Sequence, residues 1–345
     1  MDFVEYQEEK FVIKDHYLDL GLLEIKDISE IKGFEKKPDL FELELSSNEI
    51  SEIKGLEPLD NLKILNLGSN CITNLSGLEQ LTELEVLNLS SNILTSIEGL
   101  ENLKNLKELY LRANQISEIK GLDNLVNLEK LDLSWNLLTK IENLNNLTNL
   151  KVLWIAGTQI EKIVGLENLE KLETLNIAGN EIKKIEGLDN LKSLKELYLN
   201  NNLIERIENL SKLTKLKELW LASNSVKKMR GLENCTNLVY LNLSGNQITQ
   251  ILGLDSLIKL RKLYLSCNQI ETIEGLKNLK NLETLDLMDN HIRNIEGLDS
   301  LEKLRELFIK GNPLSQDLIE KLGGIDISGS AKNPDKFIRF CSESS

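Results

Sequence analysis

Hydrophobic and polar positions along this chain follow a pattern that repeats every 22 residues. Each copy contains the pattern LxxLxLxxN, as in Leu106, Leu109, Leu111 and Asn114. We call the last position of this pattern the rung; Thr158 fills it once and asparagine fills it at Asn48, Asn70, Asn92, Asn114, Asn136, Asn180, Asn202, Asn224, Asn246, Asn268, Asn290 and Asn312. A fixed period of this length indicates stacked copies of one supersecondary unit.

The residues before each rung predict a short β-strand. Leu or Ile stands eight, five and three residues before the rung in all thirteen copies. The alternation of the last two with polar positions is typical of a strand whose side chains point in turn to the core and to solvent. Copies stacked 22 residues apart make these strands parallel neighbours. The rung amide can both donate and accept, so we expect it to satisfy backbone groups in its own turn and in the next.

The segment that returns to the next strand carries leucine at every third position, as in Leu100, Leu103 and Leu106. This spacing predicts 3₁₀-like turns rather than an α-helix. A Gly-Leu pair such as Gly99-Leu100 precedes most returns, and we expect the glycine to supply an unusual φ. Asparagine replaces that glycine in two copies, at Asn143 and Asn209. The predicted fold is an α/β solenoid, a right-handed superhelix with a concave parallel β-sheet and 3₁₀ or irregular convex returns.

We predict a single structural domain in three parts. Residues 1–39 form an N-terminal cap with a degenerate repeat, residues 40–312 form thirteen repeats, and residues 313–345 form a C-terminal cap, because the ends of a solenoid must close its core. Within this last cap we predict a short helix over 313–322, a strand over 325–327 and a second helix from Asn333. The copy at Thr158 should be locally looser, since threonine replaces only part of the asparagine amide.

Composition limits the class of partner and the compartment. The net charge of -14 disfavours nucleic acid and anionic membranes as ligands. Cys71, Cys235, Cys267 and Cys341 are scattered singly, which is typical of free thiols in a reducing compartment. No apolar run has the length of a membrane span and the start lacks the pattern of a secretion signal, so we expect a cytoplasmic protein, or a nuclear one in a eukaryote, that is not secreted.

Signatures of catalysis are missing from the sequence. It has two histidines, and neither has neighbours that suggest a catalytic or metal site; glycine-rich phosphate loops and common hydrolase motifs are absent. We therefore predict no enzymatic activity, no metal and no cofactor.

The sheet face that points away from the core carries the strongest functional signal. The residues four before each rung are Glu44, Asn66, Asn88, Tyr110, Asp132, Trp154, Asn176, Tyr198, Trp220, Asn242, Tyr264, Asp286 and Phe308. Six of these thirteen are aromatic in a chain that is 5% aromatic, and the position two before the rung is mostly Ser, Gly or Ala. Rings, carboxylates and asparagines with no Val, Ile or Thr are typical of a protein interface rather than of strand propensity alone.

We therefore predict that a folded protein binds across this concave face. Trp135 and Tyr240 lie on the same side as the column. The predicted binding residues are Tyr110, Asp132, Trp135, Trp154, Tyr198, Trp220, Tyr240, Tyr264, Asp286 and Phe308. The alternative is a carbohydrate-binding protein, since Trp and Tyr rings also stack on sugars. A sugar site would need rings clustered with Asp and Asn in one spot.

The unit GLxxLxxLxxLxLxxNxIxxI, seen from Gly99 to Ile119, resembles the 22-residue class of leucine-rich repeats. More narrowly, the chain is similar to the leucine-rich-repeat regulatory subunit of protein phosphatase 1. That resemblance implies a regulator whose partner is a catalytic subunit of the protein phosphatase 1 type, held by aromatic and acidic residues of the concave strand column. We expect the chain itself to be a monomer. Asp132, Trp154 and Tyr198 match this character, as do Asp286 and Phe308, whereas Asn176 and the C-terminal cap depart from it.

Overall fold

A computed structural model describes residues 3–36 and 39–344. Sixteen strands and two α-helices lie in this part of the chain. The strands are β1 Phe3–Tyr6, β2 Glu9–Val12, β3 Tyr17–Asp19, β4 Glu42–Glu44, β5 Ile64–Asn66, β6 Val86–Asn88, β7 Glu108–Tyr110, β8 Lys130–Asp132, β9 Val152–Trp154, β10 Thr174–Asn176, β11 Glu196–Tyr198, β12 Glu218–Trp220, β13 Tyr240–Asn242, β14 Lys262–Tyr264, β15 Thr284–Asp286 and β16 Glu306–Phe308. The helices are α1 Gln316–Lys321 and α2 Pro334–Ser344.

The fold is a leucine-rich-repeat solenoid, as the 22-residue period predicts. The chain divides into two compact units, which we call unit 1 (Met1–Ile160 with Val164–Leu172) and unit 2 (Glu161–Ile163 with Glu173–Ser345). Unit 1 contains the parallel strands β3 to β9, and unit 2 contains β10 to β16; within each unit the strands pair in chain order. The Leu and Ile columns before and after the rungs are buried in both units.

The return segments turn at every third residue, as predicted. The N–H of Leu103 donates to the carbonyl of Leu100, and that of Leu106 donates to Leu103, each over 3.0 Å. Gly99 has a φ of 111° at the bend, and Asn143 and Asn209 have a φ of 58° at the same place in their repeats. A left-handed φ favours glycine and is tolerated by asparagine, which explains the substitution pattern.

The rung asparagines bind two turns at once. In Asn70, Nδ2 donates to the carbonyls of Leu67 in its own turn and Leu45 in the preceding repeat, at 3.1 and 3.0 Å. Its Oδ1 accepts the N–H of Ile50, also in the preceding repeat, over 3.0 Å. The prediction that the amide reaches the next repeat was wrong in direction. The side chain of Asn70 lies against the turn of the preceding repeat.

Both caps differ partly from the prediction. In the N-terminal cap β3 pairs in parallel with β4, and β1 and β2 add an antiparallel hairpin that the repeat pattern does not indicate. The two C-terminal helices are confirmed as α1 and α2. The strand over 325–327 was wrong: Ile325 forms only an isolated bridge with Ala331, and Ile327 is 98% exposed. This segment curls so that residues 329–331 bond the last strand, β16.

Candidate interaction surface on the sheet

Four aromatic side chains of unit 2 form a continuous row across four neighbouring strands. We call Tyr198, Trp220, Tyr240 and Tyr264 the aromatic row. The ring centroids of Tyr198 and Trp220 lie 5.6 Å apart, those of Trp220 and Tyr240 4.3 Å, and those of Tyr240 and Tyr264 5.2 Å. Tyr198 and Trp220, and Trp220 and Tyr240, are stacked with interplanar angles of 28° and 21°, whereas Tyr240 and Tyr264 are tilted by 35°. All four are half-buried, so part of each side chain remains open to solvent.

The strand register explains why Tyr240 belongs to this row. Tyr240 stands six residues before its rung, in register with Glu218, whereas the residue in register with Trp220 is the smaller Asn242. Tyr240 on β13 therefore places its ring between Trp220 on β12 and Tyr264 on β14. Neighbouring strands of a sheet lie about 4.8 Å apart, so each ring can contact the next. Stacked aromatic pairs add about 0.5–1.5 kcal/mol beyond the area they bury, so the row is held in place before any partner arrives.

The tyrosine hydroxyls of the row remain protonated at neutral pH. Burial, followed by the carboxylates of Glu196 and Glu218, raises the pKa of Tyr198 to about 12. Burial also raises the pKa of Tyr240 to about 12. A neutral phenol keeps its hydrogen-bond donor, so the exposed edge of the row combines apolar carbon with polar groups that can bond a partner's backbone.

The column residues Tyr110 and Trp154 of unit 1 are separated by Asp132 rather than stacked. Asp132 lies in register between Tyr110 and Trp154 on the neighbouring strands. It is only 8% exposed, and its Oδ1 accepts the N–H of Ser134 over 2.9 Å. The Tyr110 hydroxyl donates to Glu108 over 2.6 Å. Asp132 therefore serves its own turn and presents little surface to a partner.

Trp135 occupies a different place from the strand column. It lies in the turn directly before its rung with a φ of 57°, and it is 57% exposed. Its ring packs on Gly157, where an added Cβ would lie 2.9 Å from the indole carbon Cδ2. The Arg112 guanidinium lies 5.8 Å from the centroid of the ring. Trp135 is thus an exposed, supported ring at the end of the strand.

The non-aromatic members of the column have a structural role that the sequence pattern did not reveal. An Asn or Asp four residues before the rung accepts the N–H of the residue two positions later. Asn242 accepts from Ser244 and Asp286 accepts from Met288, each over 3.0 Å. The Asp and Asn side chains of this column therefore serve to accept backbone N–H groups. The aromatic residues of the column have no such role in the scaffold.

At the far end of unit 2, Asp286 and Phe308 lie in register on β15 and β16. Phe308 is half-buried and forms a backbone bridge with Ser330 of the C-terminal cap. Phe308 therefore marks the place where the cap begins to cover the sheet edge.

Other features relevant to chemistry are few. Within the described residues, no three His, Cys, Asp or Glu side chains gather as potential metal ligands. No described helix is long and apolar enough to cross a membrane. Cys71 and Cys267 are exposed, Cys235 and Cys341 are buried, and none of the four forms a disulfide.

Comparison with known proteins agrees with the repeat pattern. The family model of leucine-rich repeats in two copies matches residues 38–80, 82–124, 126–171, 170–212, 214–256, 236–278, 258–300 and 280–323. A comparison with curated proteins gives no match.

Three solved structures show the range of similar folds. An internalin from Listeria monocytogenes is 31% identical, with a TM-score of 0.77 over 84% of this chain and 86% of its own. A leucine-rich-repeat protein of Leptospira interrogans is 26% identical, with a TM-score of 0.74 over 88% and 92%. A plant peptide hormone receptor in complex with RGF2 is 26% identical, with a TM-score of 0.64 over 80% of this chain and 48% of its own. With the family model covering residues 38–323 almost without gaps, this chain belongs to the leucine-rich-repeat family.

Proposed function

We propose that this chain is a non-catalytic interaction protein that binds a folded protein partner over the aromatic row of unit 2. The observation that carries the proposal is the continuous stack of Tyr198, Trp220, Tyr240 and Tyr264. Trp and Tyr dominate the residues that contribute most to protein interfaces. Rings already fixed against one another lose little conformational entropy on binding, which favours affinity.

The row gathers four rings beside Asn242, as a sugar site would need. We nevertheless infer a protein ligand rather than a carbohydrate, because the faces of Trp220 and Tyr240 are covered by neighbouring rings. A sugar stacks on a free ring face, but the Trp220 face lies 4.3 Å by centroid from that of Tyr240, and Tyr198 covers the other side at 5.6 Å. What remains open is a ridge of ring edges beside small residues such as Ala222 and Ser244. A ridge beside a shallow floor suits a complementary groove on a protein. The similar plant receptor in complex with RGF2 also supports protein recognition by this fold.

The partner class that the sequence resemblance suggests is a Ser/Thr phosphatase catalytic subunit of the protein phosphatase 1 type. We propose this as the first candidate to be tested. A cytoplasmic location is part of the same proposal, and the four singly scattered cysteines support a reducing compartment. The net charge of -14 supports a partner with a neutral or basic surface rather than nucleic acid.

The test compares capture by the wild-type chain with capture by Trp220→Ala/Tyr240→Ala. Partners in a cell lysate and purified phosphatase catalytic subunit are both offered. We expect the double variant to stay folded, because both side chains lie on the solvent side of the sheet, and to lose the specific partner. The matched control is Tyr110→Ala, which removes a ring from unit 1 and should retain that partner. Equal capture by wild type and the double variant would refute the proposal.

A further inference from the structure

Two glutamates beside the aromatic row lie in register on neighbouring strands, and neither forms an ion pair among the described residues. Glu196 on β11 and Glu218 on β12 are in direct register, and both are half-buried. No ion pair of the described residues involves either side chain. The neighbouring Lys195 is already paired with Glu173 over 2.6 Å. Like charges directly opposite on adjacent strands destabilise a sheet. Because no described cation pairs with Glu196 or Glu218, this destabilisation is not compensated.

Unit 1 shows how the same scaffold position is neutralised. Glu108 also stands six residues before its rung, next to a tyrosine two residues later in its strand. The residue in register on the next strand is Lys130, whose Nζ lies 2.8 Å from the Glu108 carboxylate. In unit 2 a second glutamate replaces that lysine. The cation that completes the pair in unit 1 is therefore missing between Glu196 and Glu218.

The aromatic row fixes both carboxylates in place. The indole Nε1–H of Trp220 donates to Glu218 over 3.3 Å, and the Tyr198 hydroxyl lies 3.5 Å from Glu196 as a weak donor. The Thr174 hydroxyl donates to Glu196 over 3.1 Å. These neutral donors orient the two carboxylates without neutralising their charge. The ring edges of Tyr198 and Trp220 stand beside them as apolar surface.

We propose that the partner inserts an arginine side chain at this point, with its guanidinium between Glu196 and Glu218 and its aliphatic stem along the edges of Tyr198 and Trp220. This inference rests on the proposed function, because it names the group that the partner presents to the same surface. Arginine suits the site better than lysine, since its planar fork can bond two carboxylates at once. Its methylene stem packs on apolar surface while the charge is paired.

The test uses the peptide acetyl-Gly-Arg-Gly-amide and a matched peptide in which citrulline, a neutral isostere, replaces arginine. Binding to the ¹⁵N-labelled full chain is followed by the indole Nε1–H signals of its tryptophans, and Trp220→Phe assigns the signal of Trp220. We expect the arginine peptide to shift that signal saturably at millimolar concentration, and the citrulline peptide to bind at least tenfold more weakly. Equal midpoints for the two peptides would overturn the proposal.

Variants separate this inference from the proposed function. Glu196→Gln/Glu218→Gln should weaken the arginine peptide at least tenfold while raising thermal stability, because it removes two like charges that lie in register on neighbouring strands. Glu108→Gln in unit 1 is the control and should leave peptide binding unchanged. If the Gln variant binds the arginine peptide as tightly as wild type, the arginine site is refuted even where Trp220→Ala/Tyr240→Ala has lost the protein partner. If Trp220→Ala/Tyr240→Ala keeps the partner, the surface itself is refuted.

Discussion

Replacing the rung Asn114 by alanine should destabilise the chain by about 3 kcal/mol. Its Oδ1 accepts the N–H of Leu94 over 3.0 Å. Its Nδ2 donates to the carbonyls of Leu89 and Leu111, each over 3.0 Å. The side chain is buried, so water cannot replace these bonds.

The Nδ2 of Asn114 also makes a longer bond of 3.4 Å to the carbonyl of Arg112, and the three shorter bonds are not equally important. The carbonyl of Leu89 also accepts from Asn92 over 3.1 Å, and the carbonyl of Leu111 also accepts from Asn136 over 2.9 Å. Both carbonyls therefore keep a donor in the variant, and each lost bond costs about 0.5–1 kcal/mol. The N–H of Leu94 loses its side-chain acceptor and stays buried, which costs about 1–3 kcal/mol. The sum is about 3 kcal/mol.

The assay is guanidinium chloride unfolding followed by far-UV circular dichroism. Asn105→Ala is the matched control, because the Nδ2 of Asn105 also donates to a backbone carbonyl, that of Thr82 over 3.1 Å, but at the exposed surface. We expect this control to cost less than about 0.5 kcal/mol. Asn114→Thr, which copies the natural exception at Thr158, should fall between the two. A loss below about 1 kcal/mol for Asn114→Ala would refute the role assigned to the ladder.

Three further substitutions test other parts of the account. Thr158→Asn should raise the free energy of unfolding by about 1 kcal/mol, because the amide NH₂ can donate two hydrogen bonds whereas the threonine hydroxyl can donate only one. A lower denaturation midpoint would contradict this. Burial raises the pKa of the Asp286 carboxyl, so the folded state is penalised once that carboxyl ionises, and Asp286→Asn should be more stable at pH 7. Its advantage should vanish in thermal melts as the pH falls below the ordinary aspartate pKa of about 3.9, whereas an advantage independent of pH would exclude ionisation as its cause. Glu218→Lys places a cation opposite Glu196, as in the equivalent pair of unit 1, so it should raise stability by about 0.5–1 kcal/mol and abolish arginine-peptide binding; reduced stability would count against the like-charge reasoning.

The scaffold is predictable because the same residue types recur at the same positions in every repeat. A Leu column, a rung and a glycine at fixed offsets define the strand, the turn and the bend, and the structure confirms the short parallel strands and the turns at every third residue. The hairpin β1–β2 and the curled segment over 325–331 were missed because they occur once each. No repetition marks them, and they form by contact with the ends of the array.

The candidate surface was predictable in position but not in organisation. Counting back from the rungs identifies the rings, yet the stack depends on Tyr240 lying diagonal to Trp220, which requires the strand register. Asp132 was included as a binding residue because its type suits an interface, but its burial follows from its neighbours on adjacent strands and from its bond to Ser134. The sequence reveals that Glu196 and Glu218 lack a lysine partner only when they are compared with Glu108 and Lys130 at the same positions of two other repeats.

Site-specific photo-crosslinking most directly tests whether the partner contacts the aromatic row. Benzoylphenylalanine placed at Tyr264 keeps a ring in the row, and the same residue placed at exposed Lys215, in a return segment, serves as the control. We expect a covalent product with the captured partner from the Tyr264 position and none from the Lys215 position. A product from Lys215 with none from Tyr264 would contradict it.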